Sequence, residues 1–381
     1  MSTNTEPRPC RRCKTLTNLT VRKDPLCETC YEQHIAQRSI KRLSQPWKDA
    51  KERIGNGPEA RAKYLLGLSF GPSSASLVQL LDQNLQGLKD RNLRVAYEVH
   101  VVHVDTDIQP GVATEAILQK YTDRFPNLTV RRVPLSDALA LNTIDWSALP
   151  PLQEDLDPAP RLMAFLDALP SVTSRVDITR LFVRHLLLSL AMEGGCHALL
   201  LGCTTTALAE LTLAETAKGR GFAVPWQVSD GPVPITMFPR GGGEEGREKK
   251  TFPVYYLLRD VFKREIITYA GLVKPSMKEL IRDAGPGGGA VVSHKELSIE
   301  DVMARYFEEV EESYPSVVAN VVRTSGKLAR VNEGDGCAAC GMDLDKQGEA
   351  RWKGEIGEDP DDERKQTAGR LCYGCERSIY G

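Results

Sequence analysis

The chain has 381 residues, 41% of them hydrophobic and 26% charged, with a formal net charge of -2; that length supports two to three domains of roughly 150 residues, and that composition excludes a fibre or a wholly disordered polymer. No window approaches the roughly 18 uninterrupted apolar residues of a spanning helix, and the N-terminal segment is polar, basic and cysteine-containing, so neither membrane insertion nor secretion is expected. The near-neutral total hides segregation: residues 1–63 carry 14 Lys+Arg against 7 Asp+Glu and residues 331–381 carry 7 against 12, which makes the N-terminus the segment suited to a polyanion.

In chain order, two CxxC pairs come first, Cys10/Cys13 and Cys27/Cys30, with 13 residues between them. They predict a compact basic module over 1–45, followed by a linker helix over 46–63. Tyr64 to Leu68 is a short apolar strand closed by Ser69-Phe70-Gly71-Pro72, and Leu77, Leu80, Leu81, Leu85 and Leu88 follow at helical spacing. Further strands are expected at Val95–Val104, Leu128–Val133 and Ala198–Leu201, and helices at about 113–124, 178–193, 206–218 and 254–270. The last of these would carry Tyr255, Leu258, Phe262, Ile266 and Tyr269 on one side. Pro150–Pro160, Gly241–Lys250 and Gly285–Gly289 read as loops. Ser298 begins a helix with Asp301 at the capping-box position and Ile299, Val302, Met303, Tyr306 and Val310 along one stripe, a core or partner face. The chain closes on Cys337/Cys340 and Cys372/Cys375, separated by 31 residues that include the acidic run Gly354–Arg364, read as a solvent loop.

Strands of this length alternating with helices imply βαβ crossovers and a mostly parallel, doubly wound α/β sheet covered on both faces. Ligands of such sheets bind at the carboxyl ends of the strands, where the Ser69–Ser76 loop falls. That loop presents helix N–H groups of the kind that hold phosphate, or is a serine-rich cap with Ser73 or Ser74 as N-cap.

Two thiolates two residues apart can turn onto one ion, and two such pairs complete a tetrahedral sulfur site for Zn²⁺ at about 2.3 Å. Each terminus thus supplies one quartet, and two structural zinc ions are expected, held by Cys10, Cys13, Cys27 and Cys30 and by Cys337, Cys340, Cys372 and Cys375. Gly341 and Gly374 suit tight knuckle turns. The long insert of the second quartet weakens the pairing only slightly, because loop-closure entropy grows slowly with length. A thioredoxin-like centre would use one pair at a helix start, and disulfides do not suit a reducing compartment. Iron in place of zinc remains an alternative, as does His34 in place of one sulfur. Cys196 and Cys203 flank an apolar run and are expected to pack as core residues.

A strand ending in Ser69-Phe70-Gly71-Pro72-Ser73-Ser74 between two terminal CxxC modules resembles the ATP-pyrophosphatase (PP-loop) proteins that thiolate tRNA. Ser69, Gly71 and Ser74 match that family's Ser-Gly-Gly-x-Asp-Ser loop, while Phe70 replaces its first glycine and Ser73 its aspartate. Phe70 should obstruct close approach of a pyrophosphate, and Ser73 supplies no charge for Mg²⁺. The second motif, Gly-His-Asn-x-Asp-Asp in active members, is here Gly202-Cys203-Thr204-Thr205-Thr206-Ala207, with Glu210 retained. The internal cysteines of active thiolases are missing, since residues 31–195 and 204–336 contain none.

These losses together with the terminal modules are similar to the family's catalytically silent partner branch. The resemblance implies a degenerate PP-loop domain over 64–330, a second zinc module over 331–381, a cytoplasmic location and no ATP turnover. It also implies a non-catalytic subunit in a heterodimer with the active tRNA thiolase subunit. That pair would form the 2-thio group of 5-methoxycarbonylmethyl-2-thiouridine at the wobble position of cytosolic tRNA, with sulfur from a thiocarboxylated ubiquitin-like carrier. Phosphate contacts are then expected from Arg8, Arg11, Arg12, Lys14, Arg22 and Lys23, with Arg38, Lys41 and Arg42 as a second band. Two readings from other classes stand beside it. An active adenylating enzyme with an unusual loop would release pyrophosphate alone, and a zinc-ribbon module for DNA or protein would not prefer tRNA.

Overall fold

The computed structural model describes residues 7–55, 57, 59–107, 112–239, 246–282, 297–330, 335–344 and 370–381. Its centre is a six-stranded sheet of β5 (Ala62–Gly67), β6 (Tyr97–Asp105), β7 (Thr129–Pro134), β8 (Ala198–Leu201), β9 (Gly231–Met237) and β10 (Glu248–Tyr256). The order is β7-β6-β5-β8-β10-β9, parallel throughout except for the antiparallel edge strand β9. β5 begins a run toward β7 on one side and neighbours β8 on the other, so the crevice between the carboxyl ends of β5 and β8 is a topological switch point. The expected fold class is the one observed.

Successive strand residues enter opposite cores. Leu65, Val102, Leu199 and Val254 belong to one, and Tyr64, Leu66, Val101, Leu200 and Tyr255 to the other, as the two-residue period of a strand requires. The first core is covered by α5 (Pro158–Asp167), α6 (Val172–Glu193), α7 (Thr205–Ala217) and α8 (Val224–Val228), with α10 (Ile299–Ser313) and α11 (Pro315–Ser325) beyond. The second is covered by α1 (Glu28–Lys41), α2 (Ser44–Ile54), α3 (Pro72–Asp90), α4 (Val112–Arg124) and α9 (Lys263–Leu272). Two small hairpins precede α1: β1 (Arg8–Pro9) with β2 (Leu16–Thr17), and β3 (Thr20–Val21) with β4 (Asp24–Pro25). The chain ends in α12 (Tyr373–Tyr380).

Several expectations need correction, the first being the linker helix over 46–63, which starts at Ser44, ends at Ile54 and is followed by β5 from Ala62. The helix expected over 254–270 is a strand followed by a shorter helix: Val254, Tyr255 and Tyr256 pair with Leu199, Leu200 and Leu201 of β8, and the helix starts only at Lys263. Tyr255, Leu258 and Phe262 mimic helical spacing, but the run from Phe252 is buried on both faces, as a central parallel strand is. Glu248–Lys250, expected in a loop, belong to β10, whereas 241–245 lie outside the described residues, as do the expected loops Gly285–Gly289 and Gly354–Arg364. α5 begins inside the expected Pro150–Pro160 loop, with Pro158 at the position where a missing N–H costs nothing. The capping box at Ser298 and Asp301 forms, yet Val302 and Tyr306 of the expected stripe are exposed and the helix instead buries Phe307 and Glu311.

The N-terminal module is packed onto the sheet domain. Val21, Leu26, Tyr31 and Ile35 share the second core, and three arginines converge on one corner. Arg38 donates to the Asp260 carbonyl at 2.9 Å and Arg22 to the same oxygen at 3.4 Å. Arg42 pairs with the Asp260 carboxylate at 2.6 Å and with Asp230, and donates to the Tyr256 carbonyl at 3.2 Å. Arg42→Ala should therefore lower stability in urea unfolding by about 1–2 kcal/mol, because the partly buried Asp230 carboxylate and the Tyr256 carbonyl lose their donor, with little added by exposed Asp260. A change below about 0.5 kcal/mol would mean that this corner does not anchor the module.

Candidate metal centres and the altered nucleotide loop

The two cysteine quartets have the same local construction. In each, the first pair forms a tight turn whose following residue has left-handed backbone: Lys14 at φ 68° after Cys13 and Gly341 at φ 70° after Cys340. Each turn is closed by one hydrogen bond, from the Lys14 N–H to the Cys10 carbonyl at 3.0 Å and from the Gly341 N–H to the Cys337 carbonyl at 2.9 Å. In each, the second pair begins a helix. Cys27 is the N-cap of α1 with Cys30 in its first turn, and Cys372 is the N-cap of α12 with Cys375 in its first turn. A helix N-terminus favours thiolate over thiol, so each quartet places its second pair of sulfurs where the backbone field helps to ionise them.

Both quartets bring their four sulfurs within 4.8 Å of one another. Cys13 and Cys27 Sγ lie 3.4 Å apart and Cys340 and Cys372 Sγ 3.9 Å apart, near the ~3.8 Å edge of a tetrahedron with 2.3 Å metal–sulfur bonds. The electrostatics carry the same mark. Cys10 is pulled down to about 6 by backbone N–H groups, led by that of Cys13, while burial and the neighbouring sulfurs push Cys30 up to about 12. In the second quartet Cys337 is held well below the ordinary thiol range despite its burial, and Cys372 and Cys375 are driven well above it, first by the Cys337 sulfur. One thiolate forbids the next, and a divalent cation at the centre would lift that repulsion. The residues fit zinc, which would cross-link the segments. His34 is not part of the first group.

The settings differ. Cys13 is exposed and Cys27 half-buried, whereas all four sulfurs of the C-terminal quartet are buried in the first core. Among the expected knuckle glycines, Gly341 takes the left-handed turn, but Gly374 does not. Its missing Cβ instead makes room for Arg220 and the Lys218 carbonyl. Cys196 packs in the core and burial raises its thiol; Cys203 is half-buried and pushed up to about 11 by burial.

The altered loop sits at the switch point. Gly202 approaches the Ser73–Ser74 backbone so closely that a Cβ would stand 3.0–3.1 Å from it, which joins the two motifs in space. The N-cap of α3 is Gly71, with Pro72 as first helical residue, and neither Ser73 nor Ser74 caps it. Ser74 instead turns back into the loop. Its hydroxyl accepts the Ser69 N–H at 3.2 Å, donates to the Gly71 carbonyl at 3.2 Å and meets the Ser69 hydroxyl at 3.1 Å. Ser69 Oγ in turn accepts the Gly71 N–H at 3.4 Å. The Ser69 and Gly71 N–H groups are thus met by the loop's own hydroxyls.

Phe70 takes a left-handed backbone, at φ 58°, and turns its fully buried ring into the core. The ring lies 4.0 Å from that of His103 and 5.6 Å from that of Tyr121, with the Arg282 guanidinium 5.1 Å from its centroid. No sequence signal marks these partners, which come from three distant segments. The second motif is occupied in the same way. Thr204 caps α7 by accepting the Ala207 N–H at 3.2 Å, Thr205 donates to the Arg259 carbonyl at 2.6 Å, and Thr206 donates to buried Glu311.

Of the candidate phosphate contacts, Arg8, Arg11, Arg12, Lys14, Arg22, Lys23 and Lys41 are exposed. Arg11 pairs with Asp24 at 2.6 Å, and Arg12 donates to Gln37 at 3.4 Å. Arg22, Arg38 and Arg42 are committed to the Asp260 corner, and Arg22 also lies over the Phe262 ring.

A family model described as "Cytoplasmic tRNA 2-thiolation protein 2" matches residues 298–377. Relatives bearing that name include proteins of Phaeosphaeria nodorum, 36% identical over 97% of this chain and 94% of that protein, and of Sclerotinia sclerotiorum, 39% identical over 84% and 83%. Among solved structures, the chain resembles the U34-tRNA thiolase NcsA of Methanococcus maripaludis, described with its 4Fe-4S cluster. The TM-score is 0.53 at 14% identity, over 95% of this chain and 100% of that one, a likeness of fold alone.

Burial holds His103 below the usual imidazole range of 6.5, against a smaller opposing pull from its bond to the Leu68 carbonyl. The unfolded chain therefore binds this proton more readily, and stability should fall as the pH drops below 6.5. His103→Gln should flatten that dependence by up to about 1.4 kcal/mol per pH unit in urea titrations; an unchanged slope would show that His103 is not held neutral by the fold.

Proposed function

The chain belongs to the cytoplasmic tRNA 2-thiolation protein 2 family, and from that premise we propose that it is the non-catalytic half of a two-subunit thiolase acting on wobble uridine. A role in tRNA 2-thiolation follows from the family itself. The proposal concerns the division of labour. An active subunit binds and activates ATP and transfers sulfur delivered by a thiocarboxylated ubiquitin-like carrier, while this chain supplies tRNA-binding surface and a docking platform.

The observation that carries the proposal is the self-satisfied loop. Triphosphate chemistry needs uncommitted backbone donors and a carboxylate to hold Mg²⁺. Here the Ser69 and Gly71 N–H groups are met by serine hydroxyls, position 73 is a serine, and Thr205 and Thr206 are hydrogen-bonded to the protein itself. Sulfur transfer through a cysteine carrier also needs an accessible reactive thiol. Eight of the ten cysteines stand in the two quartets and the other two have raised thiol pKa values. The zinc ions we assign to the quartets brace the modules and take no part in a reaction step.

The N-terminal module would hold tRNA through Arg8, Arg11, Arg12, Lys14 and Lys23, which lie around the first quartet, with Arg22, Arg38, Lys41 and Arg42 beside the corner that orients it. Two experiments test the reading. The isolated chain, given ATP and tRNA, should release pyrophosphate at the uncatalysed rate, and adding it to the active subunit should be needed for full thiolation; pyrophosphate release by the chain alone would overturn the reading. Replacing Arg8, Arg12, Lys14 and Lys23 by glutamine should weaken tRNA binding and flatten the plot of log affinity against log salt by roughly 0.7–0.9 per lost phosphate contact. An unchanged slope would move the RNA surface elsewhere.

A further inference from the structure

The C-terminal quartet rests on a buried charge cluster that no sequence motif announced. Three cations, Arg180, Lys218 and Arg220, meet three carboxylates, Asp177, Glu215 and Glu300. Arg220 is fully buried. Its Nε donates to Glu215 at 3.0 Å, its Nη2 pairs with Asp177, and its Nη1 points at Cys375 Sγ, 3.8 Å away. The same carboxylates are tied to α12: Ser378 donates to Asp177 at 2.8 Å. The backbone is shaped for this approach, since a Cβ at Gly374 would strike Arg220 and one at Gly219 would strike the Tyr373 ring. Lys218, also buried, extends the cluster to Glu300 at the start of α10.

From this geometry we propose that Arg220 is a positioning residue for the C-terminal metal centre, fixing the Cys375 thiolate by charge and hydrogen bond and locking α12 to α6 and α7. This rests on the assignment of a metal to that quartet and is independent of the catalytic reading. A divalent ion with four thiolates carries two negative charges in excess, which in a buried site need a nearby cation. Arg220 is held in place for that task by Asp177 and Glu215, which take the rest of its planar fork. Among the described hydrogen bonds, the N-terminal sulfurs have no guanidinium donor, and Cys13 faces solvent. The two centres should therefore differ in how readily they give up their ion.

The test uses the full chain with Cys13→Ser, so that only the C-terminal centre reports, loaded with Co²⁺ for spectroscopy or Zn²⁺ for release to a chromophoric chelator. Arg220→Gln should move the thiolate-to-cobalt charge-transfer band to lower energy, because the sulfur lone pairs lose a stabilising cation, and should speed zinc release at least tenfold. Ser378→Ala leaves every buried charge in place and loosens only α12, so it should speed release without moving the band. If Arg220→Gln does not fold, Arg220→Lys decides, with a part-way shift expected because the ammonium lacks the fork that reaches Cys375. A band and release rate matching those of the Arg220-containing parent, in the glutamine variant or in the lysine variant where that one decides, would overturn the proposal.

Discussion

Four thiolates within 4.8 Å of one another repel, and the architecture of both chain ends is organised around that fact. A reverse turn with a left-handed residue supplies two sulfurs and a helix N-terminus supplies the other two, twice over, at Cys13-Lys14 with α1 and at Cys340-Gly341 with α12. The turn aims the first pair and the helix field eases ionisation of the second. Because Cys10 and Cys30 belong to one core and the C-terminal quartet to the other, the two modules brace opposite faces of the sheet. Each is joined to the sheet domain through arginine. Arg42 reaches outward from the N-terminal module to Asp230 and Asp260, and Arg220 reaches from the sheet domain to the C-terminal sulfur.

Between them, the Ser69 and Gly71 N–H groups of the switch-point loop and the hydroxyls of Thr205 and Thr206 are satisfied within the protein. Phe70 holds a conformation usually left to glycine, at a cost of about 1–2 kcal/mol, and its ring is repaid by contact with His103, Tyr121 and Arg282. Phe70 is expected to obstruct a phosphate at the loop; its ring is turned into the core, and the Ser69 and Ser74 hydroxyls are bonded within the loop. Glu311, reaching across from α10, takes the hydroxyl of Thr206 and the N–H of Arg264, and so binds the second motif to the helical extension.

What could be read from the sequence was what is local. CxxC spacing is a property of four consecutive residues, so all eight quartet cysteines were legible, as were the strand at Tyr64, the switch-point loop and the capping box at Ser298. What escaped was set by distant partners. β10 was hidden because Tyr255, Leu258 and Phe262 imitate a helical face, and only pairing with β8 makes the first of them a strand residue. β9 was hidden by Pro232 and Pro234, which a sheet tolerates here because the strand lies at its edge. Arg220 had no signal at all: Asp177 and Cys375 lie 43 and 155 residues away.

The proposed division of labour requires that this chain carry out no ATP chemistry of its own. It is tested most directly by assembling the chain with an active subunit whose own loop aspartate has been replaced, then following adenylation of tRNA in single turnover. The account predicts that adenylation falls to the uncatalysed background, since no competent loop remains in the complex. Continued ATP-dependent adenylation in that complex would place working chemistry in this chain and contradict it.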